Sequence, residues 1–310
     1  MIQLTKINKK KSIKRFLPLY AMALPGILYL LINNYLPMLG VFIAFKNVNY
    51  SVGIFKSPWV GLSNFKYLFA TRDAFVITRN TLLYNIGFII INTIAAIAIA
   101  ILLNEIKSKV FSRIHQTVIL LPYMVSMVIV GYLVYAGLSP DTGFVNKSIL
   151  PVLGIQDISW YSEPRYWPII LLVVNLWKSV GFYCVIYLAT IVGISKDYYE
   201  SANLDGATKW QQITKITLPS IKPVVILMVL LSIGRIFYSD FGLFYQVPMN
   251  SGALFETTNV IDTYVYRALL KIGDIGMSSA AGLYQSLVGF VLVMLSNLII
   301  RKISPQNAIL

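Results

Sequence analysis

Apolar residues in this chain gather into six long runs, at about 17–44, 82–104, 117–138, 167–194, 223–245 and 278–300. A helix needs about 20 such residues to cross roughly 30 Å of hydrocarbon, and each run is long enough. A helix apolar on every side belongs inside a core or a bilayer. The pattern therefore predicts an all-α integral membrane protein with six transmembrane helices, and leaves little chain for a soluble domain. The polar segments divide it into a basic tail (1–16), a first span with an outer loop (17–81), a five-helix core (82–301) that includes a polar loop at 195–222, and a short tail (302–310).

Two segments qualify this picture. The first run holds Pro18, Pro25 and Pro37, residues that kink helices unless neighbours satisfy the freed carbonyls. It also follows a basic stretch and contains "AMA", the outline of a signal peptide, yet the apolar sequence continues through "LPGILYLLINNYL". A first membrane helix is the reading adopted.

Composition agrees with the runs: of 310 residues 57% are hydrophobic, only 12% are charged, and the mean hydropathy is +0.71. Soluble domains carry about a quarter charged residues. A net charge of +14 raises the question of nucleic acid, but the placement of the charge answers it differently. With six spans, 15 of the 26 Lys and Arg fall on one side, in the tail "KINKKKSIKR" and in segments 105–116, 195–222 and 301–310. The positive-inside tendency then makes both termini cytoplasmic. Residues 46–81 dissent, with Lys46, Lys56, Lys66, Arg72 and Arg79 on the outer side.

Few residues offer chemistry. The single cysteine, Cys184, lies in an apolar run and reads as a small buried residue. The single histidine, His115, falls in a short cytoplasmic loop and reads as solvated, so no metal site is expected. The chain has no G-x-x-x-x-G-K-[ST] phosphate loop and no recognisable set of nucleophile, acid and base. It is expected to be neither an ATP hydrolase nor any other enzyme, and to bind no cofactor itself.

The polar loop between the fourth and fifth runs is built like structure. Ser195 followed by Asp197 suits a helix start, and a short helix is expected over 197–204. "DG" at Asp205 and Gly206 marks a turn, with Asp205 able to cap a second helix to about Ile216 that Pro219 and Pro223 end. Ala202, Gly206, Trp210 and Ile213 are spaced to share a face. Such a hairpin could lie on lipid headgroups, but interfacial helices usually set many basic residues against a broad apolar face. Here Glu200 and the small residues suit a protein groove.

The spacing of Glu200, Ala202, Gly206, Ile216, Leu218 and Pro219 resembles the "EAA...G.........I.LP" loop of the permeases of ABC importers, with Ser201 replacing a usual Ala. "WVGLSNFKYL" (59–68), "LLPYMVSMVIVGYLVYAGLSPDTGFVN" (120–146) and "FYSDFGLFYQVPMNSG" are similar to segments of sugar permeases, although Tyr135 stands near a usual Trp, Asp240 near a usual Asn, and a Gly-Gly-Pro is absent. The resemblance spans nearly the whole chain and points to the binding-protein-dependent, type I, carbohydrate-uptake branch, nearest the polysaccharide or oligosaccharide permeases of Gram-positive bacteria.

That resemblance implies a cytoplasmic coupling hairpin between helices 4 and 5 that docks in a cytoplasmic ATPase dimer carrying ATP and Mg. By analogy Glu200 pairs with a basic group there, Gly206 permits the turn, Ala202 and Ala207 (with Asp205 between them in the turn) permit close docking, and Ile216, Leu218 and Pro219 join the hairpin to the fifth span. It further implies a second, usually nonidentical permease, an extracellular or lipid-anchored sugar-binding protein, and a place in the bacterial cytoplasmic membrane among its lipids. Nucleic acid has no part in it.

Polar residues inside apolar runs are costly and usually face a cavity or a partner helix. They nominate Asn175, Lys178, Ser179 and Tyr183 in the fourth run, and Arg235, Tyr238, Ser239 and Asp240 in the fifth, as a solute path. Aromatic faces and hydrogen-bonding groups suit sugars. Arg235 and Asp240 could instead neutralise each other, and Lys178 could snorkel to the surface or pair with the companion subunit. Two other functions remain open at this level: an ion-coupled secondary transporter using the intramembrane charges, which leaves the hairpin unexplained, and an ABC permease for amino acids, peptides or phosphate.

Overall fold

The computed structural model describes residues 9–106 and 108–303; residues 1–8 of the basic tail, Lys107, and residues 304–310 of the last tail lie outside the described residues. The described chain is helical, and its one β-type contact is an isolated bridge between Lys46 and Trp59. Four helices are long and apolar enough to cross a membrane unbroken within the body of the fold: α2 (Arg72–Asn104), α5 (Trp167–Val192), α7 (Lys209–Ile233) and α10 (Ile275–Ile303). A fifth, α1 (Phe16–Phe45), stands apart, with only 6% of its apolar window buried. It winds past Pro18 and Pro25, loosens into a π turn at Leu31–Tyr35 and tightens into a 3-10 segment at Leu39–Phe45.

The third apolar run is not one straight helix. It breaks by 95° between α3 (Lys109–Met124) and α4 (Met127–Leu138). Pro122 weakens the last turn of α3, Val125 and Ser126 are extended, and the Ser126 hydroxyl accepts from the Val128 amide to start α4. The Lys178 ammonium, reaching from α5, donates to the carbonyls of Pro122, Tyr123 and Val125 at the break, where Pro122 also accepts from the Val125 amide. Residue 181, one turn further along α5, must be small for the same helices to meet: a Cβ on Gly181 would lie 2.1 Å from the Ile119 carbonyl oxygen.

Helices α2 and α5 form the centre. Toward one end they enclose Ala96, Ala100, Cys184, Tyr187 and Ile191; toward the other, Tyr84, Phe88, Trp167 and Leu171 pack with Leu243 and Phe244 of α8 (Phe241–Gln246). A third cluster joins Ala74 and Ile77 of α2 to Phe237, to Ile261 at the start of α9 (Ile261–Arg267) and to Ala281 of α10. Burying this first part of α2 explains why the helix begins at Arg72, ten residues before the apolar run at 82. Asn80 and Tyr84 also fix the segment before α9, donating to the carbonyls of Asn259 and Thr257.

Three of the five dissenting cations have partners within the fold. Lys46 is buried, and its ammonium donates to the Ile54 and Phe55 carbonyls beside the rings of Phe42 and Trp59. Arg79 donates to the Glu256 carbonyl and the Asn80 side chain, and Arg72 pairs with Glu256. Cations used for folding in this way are poor reporters of orientation.

Candidate functional site

Two places bring the polar residues together: a cavity about halfway along α2 and α5, and the hairpin that precedes α7. The cavity holds about 620 Å³ and is lined by α2, α5, the end of α7 and the chain that follows it.

Its unusual wall is the stretch 234–240. The expected fifth span, 223–245, is not one helix: α7 stops at Ile233, the chain goes on through isolated turns at 234–237 and irregular backbone at 238–240, and Asp240 starts α8 by accepting from the Leu243 amide. Non-helical backbone at membrane depth is tolerated only where its polar groups are met by protein or line a cavity. Three side chains meet them. Asn85 of α2 donates to the carbonyls of Ile236 (2.9 Å) and Tyr238 (3.2 Å). Gln285 of α10 donates to the Phe237 carbonyl (2.8 Å) and to Asp262 (3.1 Å), and Asp262 of α9 accepts from the Ser239 amide (2.8 Å). Burial pushes the Asp262 carboxyl above the ordinary carboxylate range, while the donors of Ser239 and Gln285 pull it back. Phe237, between these anchors, is fully buried.

Held this way, the stretch turns Arg235, Tyr238, Ser239 and Asp240 into the cavity opposite Asn175, Ser179 and Tyr183 of α5. Seven of the eight nominated path residues therefore share one cavity. Lys178 does not line it: its ammonium is taken by the break between α3 and α4. Arg235 and Asp240 form no ion pair with each other.

The cavity also has lining residues that sequence reasoning passed over: Asn85, Asn92 and Thr93 from α2, Tyr187 from α5 and Ser232 from α7. Asn92 donates to Asn175 across the helix pair (2.8 Å), and its own carbonyl oxygen is buried without a partner among the described residues. The signal was present, since Asn85 and Asn92 are polar residues seven apart in an apolar run, the criterion already applied to the fourth and fifth runs. Phe88, Phe182 and Phe241 add aromatic surface. Such a wall can hydrogen-bond hydroxyls and cover apolar CH faces.

In the hairpin, α6 (Lys196–Leu204) begins as expected, with Ser195 accepting from the Asp197 amide. The turn is made by Gly206 at φ +77°, a left-handed conformation that glycine adopts freely. Asp205 closes α6 and does not cap the next helix. Thr208 does, in a reciprocal box with Gln211, because the extra residues after the turn place the first free amides at 209–211. Nor do Pro219 and Pro223 end that helix. A π turn at Ile213–Thr217 shifts the hydrogen-bonding register ahead of Pro219, Ser220 satisfies the Ile216 carbonyl, and α7 continues to Ile233.

Gln212 is buried and donates to Asn203 and the Ala207 carbonyl; the Tyr199 and Thr217 hydroxyls meet at 2.9 Å; and Lys209 pairs with Glu105 at the end of α2 (2.9 Å). Of the four residues spaced to share a face, Ala202 and Ile213 are half-buried, and Gly206 and Trp210 are exposed. Ala207 and Ile216 are half-buried, and Leu218 and Pro219 lie exposed on α7. Glu200 is exposed, as are Tyr198, Leu204 and Trp210. His115 sits inside helix α3 rather than in a loop, its Nδ1 2.8 Å from the Phe111 carbonyl oxygen.

A bundle of membrane-length helices around a polar cavity, with a structured hairpin at one end, defines a transport component. The chain belongs to the family described as binding-protein-dependent transport system inner membrane components, which it matches over residues 92–305. It is 35% identical over 302 residues to protein LplB of Bacillus subtilis, covering 97% of this chain and 94% of that one. It is also 35% identical over 308 residues to the polygalacturonan/rhamnogalacturonan transport system permease protein YteP of the same species, covering 97% and 95%. Among solved structures it resembles a chain of a bacterial ABC transporter involved in the import of the acidic polysaccharide alginate, with a TM-score of 0.87 and 35% identity over 96% of this chain and all of that one. That transporter has also been solved with an alginate pentasaccharide-bound periplasmic protein, where the TM-score is 0.85. The protein is thus a multi-pass inner-membrane permease with the type I ABC fold, of the sugar-import kind, and not an enzyme.

Proposed function

We propose that this chain is the membrane-spanning permease subunit of an ATP-driven importer of oligosaccharides, receiving its cargo from an extracellular solute-binding protein. The observation that carries the reading is the cavity, where hydroxyl-pairing side chains and aromatic surface converge beside an interrupted helix. The alginate transporter's complex with a loaded periplasmic protein supports the delivery route, and YteP supports a polysaccharide-derived cargo.

In this proposal the chain crosses the membrane six times, counting α3 and α4 as one broken span, with both termini cytoplasmic. The hairpin then faces the cytoplasm and docks in a separate ATPase dimer that binds ATP and Mg. Glu200 offers the charge, and Tyr198, Leu204 and Trp210 the exposed apolar surface for that contact. A second permease, usually nonidentical, completes the path.

The test is uptake of labelled oligosaccharides into proteoliposomes holding the permease pair and ATPase, with the binding protein supplied outside. Uptake should require internal ATP and should fall in Glu200→Lys with the membrane fold intact. Uptake driven by a proton gradient without the ATPase would make the chain a secondary transporter instead.

A further inference from the structure

The reading above leaves the charge of the cargo open. Among the described residues Arg235 and Asp240 are the only charged ones in the cavity wall, and they are not equivalent. The Asp240 carboxylate caps α8 with one oxygen, which accepts from the Leu243 amide at 3.1 Å. The Arg235 guanidinium is exposed to the cavity and has no ion-pair partner among the described residues. Two other arginines of the fold, by contrast, are occupied: Arg79 by the Asn80 side chain and the Glu256 carbonyl, and Arg267 by Asn250 and Asn259 above the Phe255 ring.

A guanidinium at membrane depth is expensive unless it meets an anion or water, and its planar fork matches a carboxylate with two parallel bonds. Neutral sugars need no such group, because Asn92, Asn175, Ser179 and Ser239 already supply hydroxyl partners in the same wall. Arg235 is also placed with care. It stands at the start of the non-helical stretch that Asn85, Gln285 and Asp262 pin on three sides, so the backbone carrying the fork is fixed before any substrate arrives.

We infer that the cavity takes an acidic oligosaccharide, one bearing a uronate carboxylate, and that Arg235 is the residue that reads this charge. The inference rests on the sugar-import reading. Its test compares ATP-dependent uptake of trigalacturonate, trimannuronate, xylotriose and maltotriose by the complete complex with its binding protein. Wild type is set against Arg235→Gln and Arg235→Lys. Loss of a charged hydrogen-bonding group should lower uptake of the acidic trisaccharide about 10-fold to 100-fold in Arg235→Gln, with Arg235→Lys in between. The same receptor serves every variant, so the change belongs to the permease. Import of neutral trisaccharides by wild type, or a decrease in Arg235→Gln that is equal for acidic and neutral sugars, would overturn the inference and leave sugar import standing. Absence of ATP-dependent uptake for all four would overturn sugar import itself, and this inference with it.

Discussion

Replacing Lys178 by Met is the sharpest test of how the third span is held. The ammonium donates to three carbonyls at a 95° break, those of Pro122 (3.2 Å), Tyr123 (3.1 Å) and Val125. Met keeps the length of the aliphatic stem but removes this donor from the Tyr123 and Val125 oxygens, while Pro122 keeps the Val125 amide. A hydrogen bond to a charged group contributes about 1.5–3 kcal/mol net, and a buried acceptor left unpaired costs about 1–3 kcal/mol. The three bonds share one ammonium and Lys178 is only half-buried, so the contributions do not add; a loss of about 2–3 kcal/mol is expected. By the scaling of melting temperature with stability this is roughly 4–10 °C, readable by thermal unfolding of the purified permease in detergent. Lys178→Arg should lose less, since its fork can still reach two of the carbonyls. A Met variant that melts within about 1 °C of wild type would refute the capping role and return Lys178 to the list of residues free to meet a solute or a partner subunit.

Other perturbations follow from the same geometry. Asp262→Ala and Gln285→Ala should each destabilise by about 1–3 kcal/mol and raise the KM for uptake; because both act on the stretch 237–239, the double variant should fall short of the sum, and full additivity in melting experiments would argue against a shared clamp. Gly206→Val forces a β-branched residue into φ +77°, at about 1–2 kcal/mol, and should lower transport per ATP hydrolysed; an unchanged ratio would mean that the turn does not matter for coupling. Thr208→Ala removes a reciprocal cap worth about 1 kcal/mol, which hydrogen exchange at residues 209–211 should report as faster exchange.

Sequence was a good guide to where helices lie and a poor one to where they stop being helices. Length and hydropathy carry the membrane spans because a bilayer imposes both. They say nothing of the bend at Val125 and Ser126, whose cause is tertiary: Lys178 arrives from another helix to satisfy carbonyls that a lone segment could not leave open. The stretch 234–240 was hidden for the same reason, its anchors Asn85, Gln285 and Asp262 lying 20 or more residues away in the chain. The prolines misled in the opposite direction, since a π turn just ahead of Pro219 shifts the register and the helix continues past both. Seven cavity-lining residues were legible because a polar group in an apolar run has few reasons to be there; the asparagines of α2 carry the same signal in the second run.

The failure of Pro219 to end its helix bears on how the hairpin and the cavity communicate. Were the helix broken at 219 and 223, a push on the hairpin would be taken up at the break. Instead α7 runs without interruption from Lys209, two residues past the turn's Ala207, to Ile233. At 1.5 Å per residue its 25 residues make a rod of roughly 37 Å. One end is locked to the hairpin through Gln212 and to α2 through the Lys209 and Glu105 pair. The other end opens directly into the stretch that carries Arg235, Tyr238, Ser239 and Asp240. In the proposed importer, displacement of the docked hairpin would therefore arrive at the cavity wall with little loss, and the first backbone able to yield is the one that touches cargo. The clamp by Asn85, Gln285 and Asp262 then has a second consequence: it fixes the wall against α2, α9 and α10, so that movement of α7 relative to those helices must strain or reset the clamp. Stiffness up to Gly234 and pinned irregularity beyond it are the two properties that would let work done at one end of the molecule change the shape of the site at its middle.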